Sequence, residues 1–371
     1  MVEKMLDQGK ISASQFSLLL FTLVSSTAML FVPAVTAESA GRDGWISILF
    51  LATIFGLMVA WVCTSLGQRF PHENIIEYSP KVFGPVLGHL INLTYIFFFI
   101  WTNAIIVGEF ADFMIATFLP KTPRVVFAFI IVWLAAYAVR NGLEVISRLN
   151  QFLFPLLMIS YLGLVVFVLS DIELTNLVPI LENGVKPIIR GSLPPSAWRG
   201  EIVLMLMMLP NLSQLTKGRK ASIYAVILIG IVLTLNTIAT VGAFGAELSS
   251  HLTFPYFTLA DYGQIAKVLE RMEALVMLVW VAGLMLKIAI FYYCGVLALA
   301  QWFNLQNYKP LVTPVGIILI AWSSIIYENS RELVELISKT FPVYAFTFEL
   351  LIPVLLLAVA VIRKKKGGNC S

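Results

Sequence analysis

A chain of 371 residues that is 59% hydrophobic and only 12% charged lies far from a soluble domain, in which about a quarter of residues carry charge. Its net charge of +4 is too small, and its basic residues too scattered, to suit a nucleic-acid partner. Cys63, Cys294 and Cys370 lack metal-ligand spacing, His72, His89 and His251 are dispersed, and P-loop, G-x-S-x-G, H-E-x-x-H and Rossmann glycine patterns are missing, so no metal, cofactor or enzymatic activity is expected.

Apolar stretches long enough to cross a bilayer, about 20 residues each, fall in chain order at roughly 12–37, 45–67, 88–118, 124–140, 149–170, 186–211, 221–245, 272–302, 311–327 and 341–362. The expectation is an all-α integral membrane protein with ten transmembrane helices in a single domain, 1–371. The first stretch ends near "AVTAESA", which has an A-x-A pattern, yet Glu3 and Asp7 precede it and its apolar run exceeds the ~7–15 residues of a signal sequence. It reads as a span. Ten spans put both termini on one side. The inner segments, which include the basic tail 363–371 with "RKKK", hold more basic residues than the outer ones, so both termini are expected in the cytoplasm. The outer set includes Lys121, Arg124, Arg190, Arg199, Lys267 and Arg271.

Two spans carry helix breakers. The first, "TLVSSTAMLFVPAVT", has Thr22, Ser25, Ser26 and Thr27 followed by Pro33; the sixth, "RGSLPPSAWRGEIVLMLMMLP", has Gly191, Pro194, Pro195 and Gly200. Proline removes a backbone donor and glycine weakens a helix, so helices 1 and 6 are expected to be discontinuous. Each opens one half of a five-plus-five division, with repeats at about 12–170 and 186–362, the pattern of an inverted repeat with a midplane site between broken helices.

Polar groups gather at the same depth. Ser25, Ser26 and Thr27 on the first span, Glu201 on the sixth, Lys287 on the eighth and Glu349 on the tenth all fall near the middle of the bilayer, where a charge costs about 2.5–3.5 kcal/mol on insertion scales. Lys287 is therefore expected to face a carboxylate or a cluster of hydroxyls and carbonyls. It is either a fixed cation beside the broken helices or one half of a locking ion pair; Gly283, one turn earlier, lets that face approach its neighbours closely. On the third span, Asn92, Tyr95, Phe99, Thr102, Ile106, Glu109 and Phe113 share an arc that should point inward, with Asp112 off it. Glu201, Met205 and Met208 share a face that lines a pocket or fills the core. Thr234, Asn236, Thr237 and Thr240 on the seventh span suit interhelical hydrogen bonds.

Several stretches carry a resemblance: "KISASQF", "ENIIEYSPKVFGPVLG", "GLEVISRLNQFLFP", "NLVPILENGVKPIIRGS" and "YYCGVLALAQWFNLQNYKPLVTPVGI". Over nearly the whole chain the sequence resembles the B subunit of the nutrient germinant receptors of endospore-forming bacteria. That family looks like part of the amino acid, polyamine and organocation transporter superfamily, with its leucine-transporter-type fold. The resemblance implies a subunit of the spore inner membrane that binds a small nutrient, often an amino acid, and acts with A and C subunits to trigger germination. In that frame the amides of Thr27 to Leu30 would hold a carboxylate and carbonyls near Trp198, Gly200 and Glu201 an ammonium. Tyr95, Phe99, Thr102, Met205 and Tyr292 would complete the site. Glu109, Glu201, Lys287 and Glu349 are the coupling or ion-pair candidates. An amino-acid permease, proton-coupled through Glu201 or Glu109, is the alternative; a scaffold with an empty site is a third.

Overall fold

Two helices begin with reciprocal side-chain caps. In the computed structural model, which describes residues 6–262 and 272–367, α1 (Ala13–Ala40) starts at Ser12, whose hydroxyl accepts the Gln15 amide while the Gln15 side chain returns to the Ser12 amide. The short α3 (Ile75–Phe83) starts with the same reciprocal cap from Asn74 and Glu77, an N-x-x-E signal that the hydropathy reading passed over. Lys4, Lys267, Arg271 and Cys370 lie outside the described residues.

Helices occupy all ten expected stretches. After α1 come α2 (44–69, with a wider π turn at Ser47–Ala52), α4 (Pro85–Thr117), α5 (Arg124–Arg140) and α6 (Leu143–Phe167). The second half holds α7 (Val185–Gly191), α8 (193–211), α9 (Gly218–His251), α10 (Pro255–Tyr262), α11 (Met272–Trp302), α12 (Lys309–Ser323) and α13 (330–362). Among the described residues, six segments are long and apolar enough to cross a membrane, and one of them, Ala13–Arg69, contains both α1 and α2. Side chains such as Phe152, Trp133 and Ile362 stay open at the periphery, as an apolar solvent requires. The chain is an integral membrane protein.

Helices α1 and α11 form the centre. From Leu19 to Ala37 every residue of α1 is buried, and α1 packs most extensively along α9. A helix that is apolar on all sides belongs in such a position. At Gly283 an added Cβ would meet Leu157 Cδ2 at 2.9 Å and Ser26 Oγ at 3.1 Å, so α11 lies close against α1 and α6 because this position is bare. The interior of α4 also faces α11, with Asn103 donating to the Ile288 carbonyl at 3.2 Å.

One end of the bundle is tied together by the segment before α1. Ile11 pairs with Leu212 in an isolated bridge, through Ile11 N to Asn211 O at 3.0 Å and Ser213 N to Ile11 O at 2.9 Å. The Asp7 carboxylate accepts from Gly9 N, Leu143 N and Tyr293 Oη at 2.8, 3.0 and 2.9 Å, joining α6 and α11 to the same strap.

The first span departs from expectation. It is one continuous helix through Pro33, with no opened backbone at Thr27 to Leu30. One contact across the interface offsets the proline, and the hydroxyls stay within the helix. Pro33 leaves the Met29 carbonyl without its usual amide, and Asn236 Nδ2 on α9 donates to that oxygen at 2.9 Å. The hydroxyls also bond back along their own helix: Ser25 to the Phe21 carbonyl, Ser26 to Thr22 at 2.6 Å and Thr36 to Val32 at 2.7 Å. The sixth span is interrupted, but by tightening rather than unwinding. Helix α7 stops at Ser192, and α8 passes from α-helix (Leu193–Gly200) through 3₁₀ turns at Glu201–Leu204 and Leu209–Asn211 on either side of Met205–Met208.

Candidate functional site

Lys287 is the hub of the interior. Its side chain is fully buried, and Nζ lies 2.5 Å from Thr27 Oγ1 on α1 and 2.6 Å from Glu201 Oε2 on α8. The ammonium therefore joins the central helix, the first 3₁₀ turn of the interrupted one and α11. Trp280, two turns before Lys287 on α11, donates to the Ser26 carbonyl at 2.6 Å, so a second bond fixes the same pair of helices. A buried pair of this kind holds a register because removing either partner strands the other.

Glu349 lies next to it. Its carboxylate packs so closely on the bare backbone of Gly200 that an added Cβ there would overlap it, and neither oxygen has a hydrogen-bond partner. The residue is completely buried within the π turn Thr347–Leu351 of α13. Glu109 on α4 is also buried, with Oε2 unpartnered, as is the hydroxyl of Thr102 two turns before it. Of the four ion-pair candidates, Glu201 is the carboxylate that contacts Lys287; neither Glu109 nor Glu349 forms a salt bridge with it.

Other expected site residues divide. Ser25 and Ser26 sit on α1 one turn or less from Thr27, their hydroxyls committed to carbonyls of the preceding turn. Tyr95 donates to the Phe348 carbonyl at 2.7 Å and, with Phe99 and Phe98, forms an aromatic cluster against Phe348. This joins α4 to α13 beside Glu349. Met205 is fully buried in α8. Tyr292 lies apart: its hydroxyl donates to the Val312 carbonyl and touches Gly316 on α12. Spacing along α11 placed Tyr292 within two turns of Lys287, but successive residues turn by about 100° and this one faces the flank. The Trp198 carbonyl, expected to be open, accepts the Glu201 amide across the tightened turn.

Two cationic residues assigned to outer segments take part in the packing, one half-buried and one fully buried. Arg124 lies 3.2 Å from Asp112, stacks 4.3 Å over the Tyr327 ring and donates to the Tyr327 carbonyl at 3.0 Å. Gly108 leaves room beneath this group, which an added Cβ would meet. Arg199 is entirely buried. No cluster of three or more potential metal ligands occurs among the described residues.

The described residues form a helical bundle centred on a buried ion pair between its interrupted sixth span and its eighth, hydrogen-bonded to the first. Its fold matches MhsT in complex with L-phenylalanine, with a TM-score of 0.70 at 13% identity over 96% of this chain and 99% of that one. It also matches Mhp1, a nucleobase-cation-symport-1 family transporter, in a closed conformation with bromovinylhydantoin bound, with a TM-score of 0.70 at 12% identity over 96% and 80%. These likenesses establish a leucine-transporter-like fold. Residues 10–333 match the family model described as spore germination protein, and the chain belongs to that family. Among its relatives in Bacillus subtilis (strain 168), spore germination protein KB is 26% identical over 97% of each chain. Spore germination protein YndE is 28% identical over 96% of this chain and 98% of its own. Spore germination protein XB of Bacillus anthracis is 22% identical over 72% and 76%.

Proposed function

We propose that this chain is the membrane subunit of a spore germinant receptor, binding a small nutrient of the amino-acid class at the Lys287 cluster. The carrying observation is the contact of Lys287 with both Thr27 and Glu201, which makes three helices depend on one buried charge. Lys287 acts as a fixed cation, holding α1 against α8 as a bound metal ion would. A ligand that engages Glu201, Gly200 or Glu349 competes for the same charges and so shifts the balance between packings of these helices. Tyr95, Phe99, Thr102 and Met205 would shape the apolar part of the pocket, with Ser25 and Ser26 beside it. That a fold neighbour is in complex with L-phenylalanine supports the ligand class.

The receptor would reside in the spore inner membrane, with both termini on the core side, and act with A and C subunits. Its activity is recognition, with no catalytic step. The test is deletion of the chain's gene in spores, followed by a nutrient panel. One lost response, restored by the wild-type chain and not by Lys287→Met, is the expected result; an unchanged panel overturns the reading. A permease coupled through Glu201 or Glu109 is the second reading, favoured by the buried, unpartnered Glu109 Oε2. Counterflow of labelled amino acids in proteoliposomes of this chain alone would select it.

A further inference from the structure

Arg199 poses a problem that the Lys287 cluster does not solve. Its side chain is 0% exposed, yet Nε, Nη1 and Nη2 all lack a hydrogen-bond partner, and no carboxylate among the described residues pairs with it. A guanidinium does not shed its proton in a protein, so burial leaves a full positive charge without compensation. Glu201, two residues on, is committed to Lys287, and Glu349 lies against Gly200 with both oxygens unbonded.

The guanidinium lies where three helices come close together. Arg199 runs between bare positions: an added Cβ at Gly56 on α2 would lie 3.3 Å from its Cδ, and one at Gly230 on α9 would lie 3.7 Å from its Nη2. One turn past Gly230, on the same face of α9, Thr234 has a buried hydroxyl without a partner. Three guanidinium nitrogens and one hydroxyl are thus unmet donors in one region. An anion is the species that satisfies donors and balances the charge together.

We propose that Arg199, with Thr234, forms a small-anion site between α2, α8 and α9, separate from the Lys287 cluster. It would take a halide or the carboxylate of a small molecule, both compact, singly charged acceptors.

The experiment uses the full chain purified in nanodiscs, with thermal melting followed at constant sodium as a bulky sulfonate, 2-(N-morpholino)ethanesulfonate, is replaced by chloride, bromide or acetate. A saturable rise of about 5 °C over the sulfonate is expected at a hundredfold excess over half-saturation. A rise with chloride and bromide alone assigns a halide; a rise with acetate assigns a carboxylate. Arg199→Gln should abolish the rise, and Thr234→Val should raise the half-saturating concentration about tenfold. Equal melting in all anions overturns the proposal, as does a dependence that survives Arg199→Gln. Should Arg199→Gln fail to fold, crystals of the wild-type chain in bromide, or with a bromoacetate probe, decide the matter. Anomalous density within hydrogen-bonding distance of the guanidinium supports the site, and density only elsewhere rejects it.

Discussion

Asn236 on α9 donates to the Met29 carbonyl of α1 at 2.9 Å, supplying the hydrogen bond that Pro33 takes away. This one relationship explains how a proline sits inside a continuous central helix. It predicts that Asn236→Val destabilises the chain by about 1–2 kcal/mol, because a buried acceptor is left unmet. In a Pro33→Ala background, where the helix regains its own donor, the same change should cost much less. Chemical unfolding of the four variants in detergent measures the coupling; equal costs in both backgrounds would refute it.

The ion pair of Lys287 and Glu201 yields a prediction that separates packing from recognition. Lys287→Met should cost about 3–5 kcal/mol by stranding a buried carboxylate, and Lys287→Met with Glu201→Leu should regain most of that loss. If the cluster also recognises nutrient, the stable double variant will still fail to respond. Stability assays on purified protein and germination assays on spores expressing each variant read the two effects independently.

Gly200 has no space for a side chain. Gly200→Ala drives a methyl group onto the Glu349 carboxylate, and overpacking of this kind costs about 1–3 kcal/mol. Adding Glu349→Ala, which removes the carboxylate but keeps a Cβ 2.9 Å away, should relieve most of the strain and raise the melting temperature above that of Gly200→Ala alone. No recovery would mean that the collision is with other atoms.

Asp7 makes a prediction about local opening. Its carboxylate serves the amides of Gly9 and Leu143 and the hydroxyl of Tyr293, so Asp7→Ala removes three charge-assisted bonds at once. Amide exchange at residues 9–13 and 143 should accelerate by at least about tenfold while α11 stays protected. Tyr293→Phe, which deletes one of the three, should have a smaller effect. Global acceleration would show that the strap is not an independent unit.

The positions of the spans were legible in the sequence because bilayer length and apolar content are local properties. Lys287 was legible too, since an ammonium in an apolar run must find a partner within the protein. Which carboxylate it meets was not, because Glu201 and Glu349 lie at similar depth and only helix rotation chooses between them. The expected break in α1 failed for a related reason. Pro33 and the hydroxyls are visible locally, whereas Asn236, which repairs the helix, lies on a helix more than 200 positions away. Arg199 was placed with the outer charges because hydropathy counts cannot register that Gly56 and Gly230 leave a channel for its stem. Tyr292, expected at the site within the family resemblance, lies at the flank that α12 covers, and the sequence does not encode that face.

The bridge between Ile11 and Leu212 links the beginning of the chain to the far end of α8. Axial travel of that end would pull on the strap, whose other attachments, at Leu143 and Tyr293, belong to α6 and α11. A rearrangement deep in the bilayer would thus be converted into traction at the rim, where a neighbouring subunit could feel it without touching the nutrient.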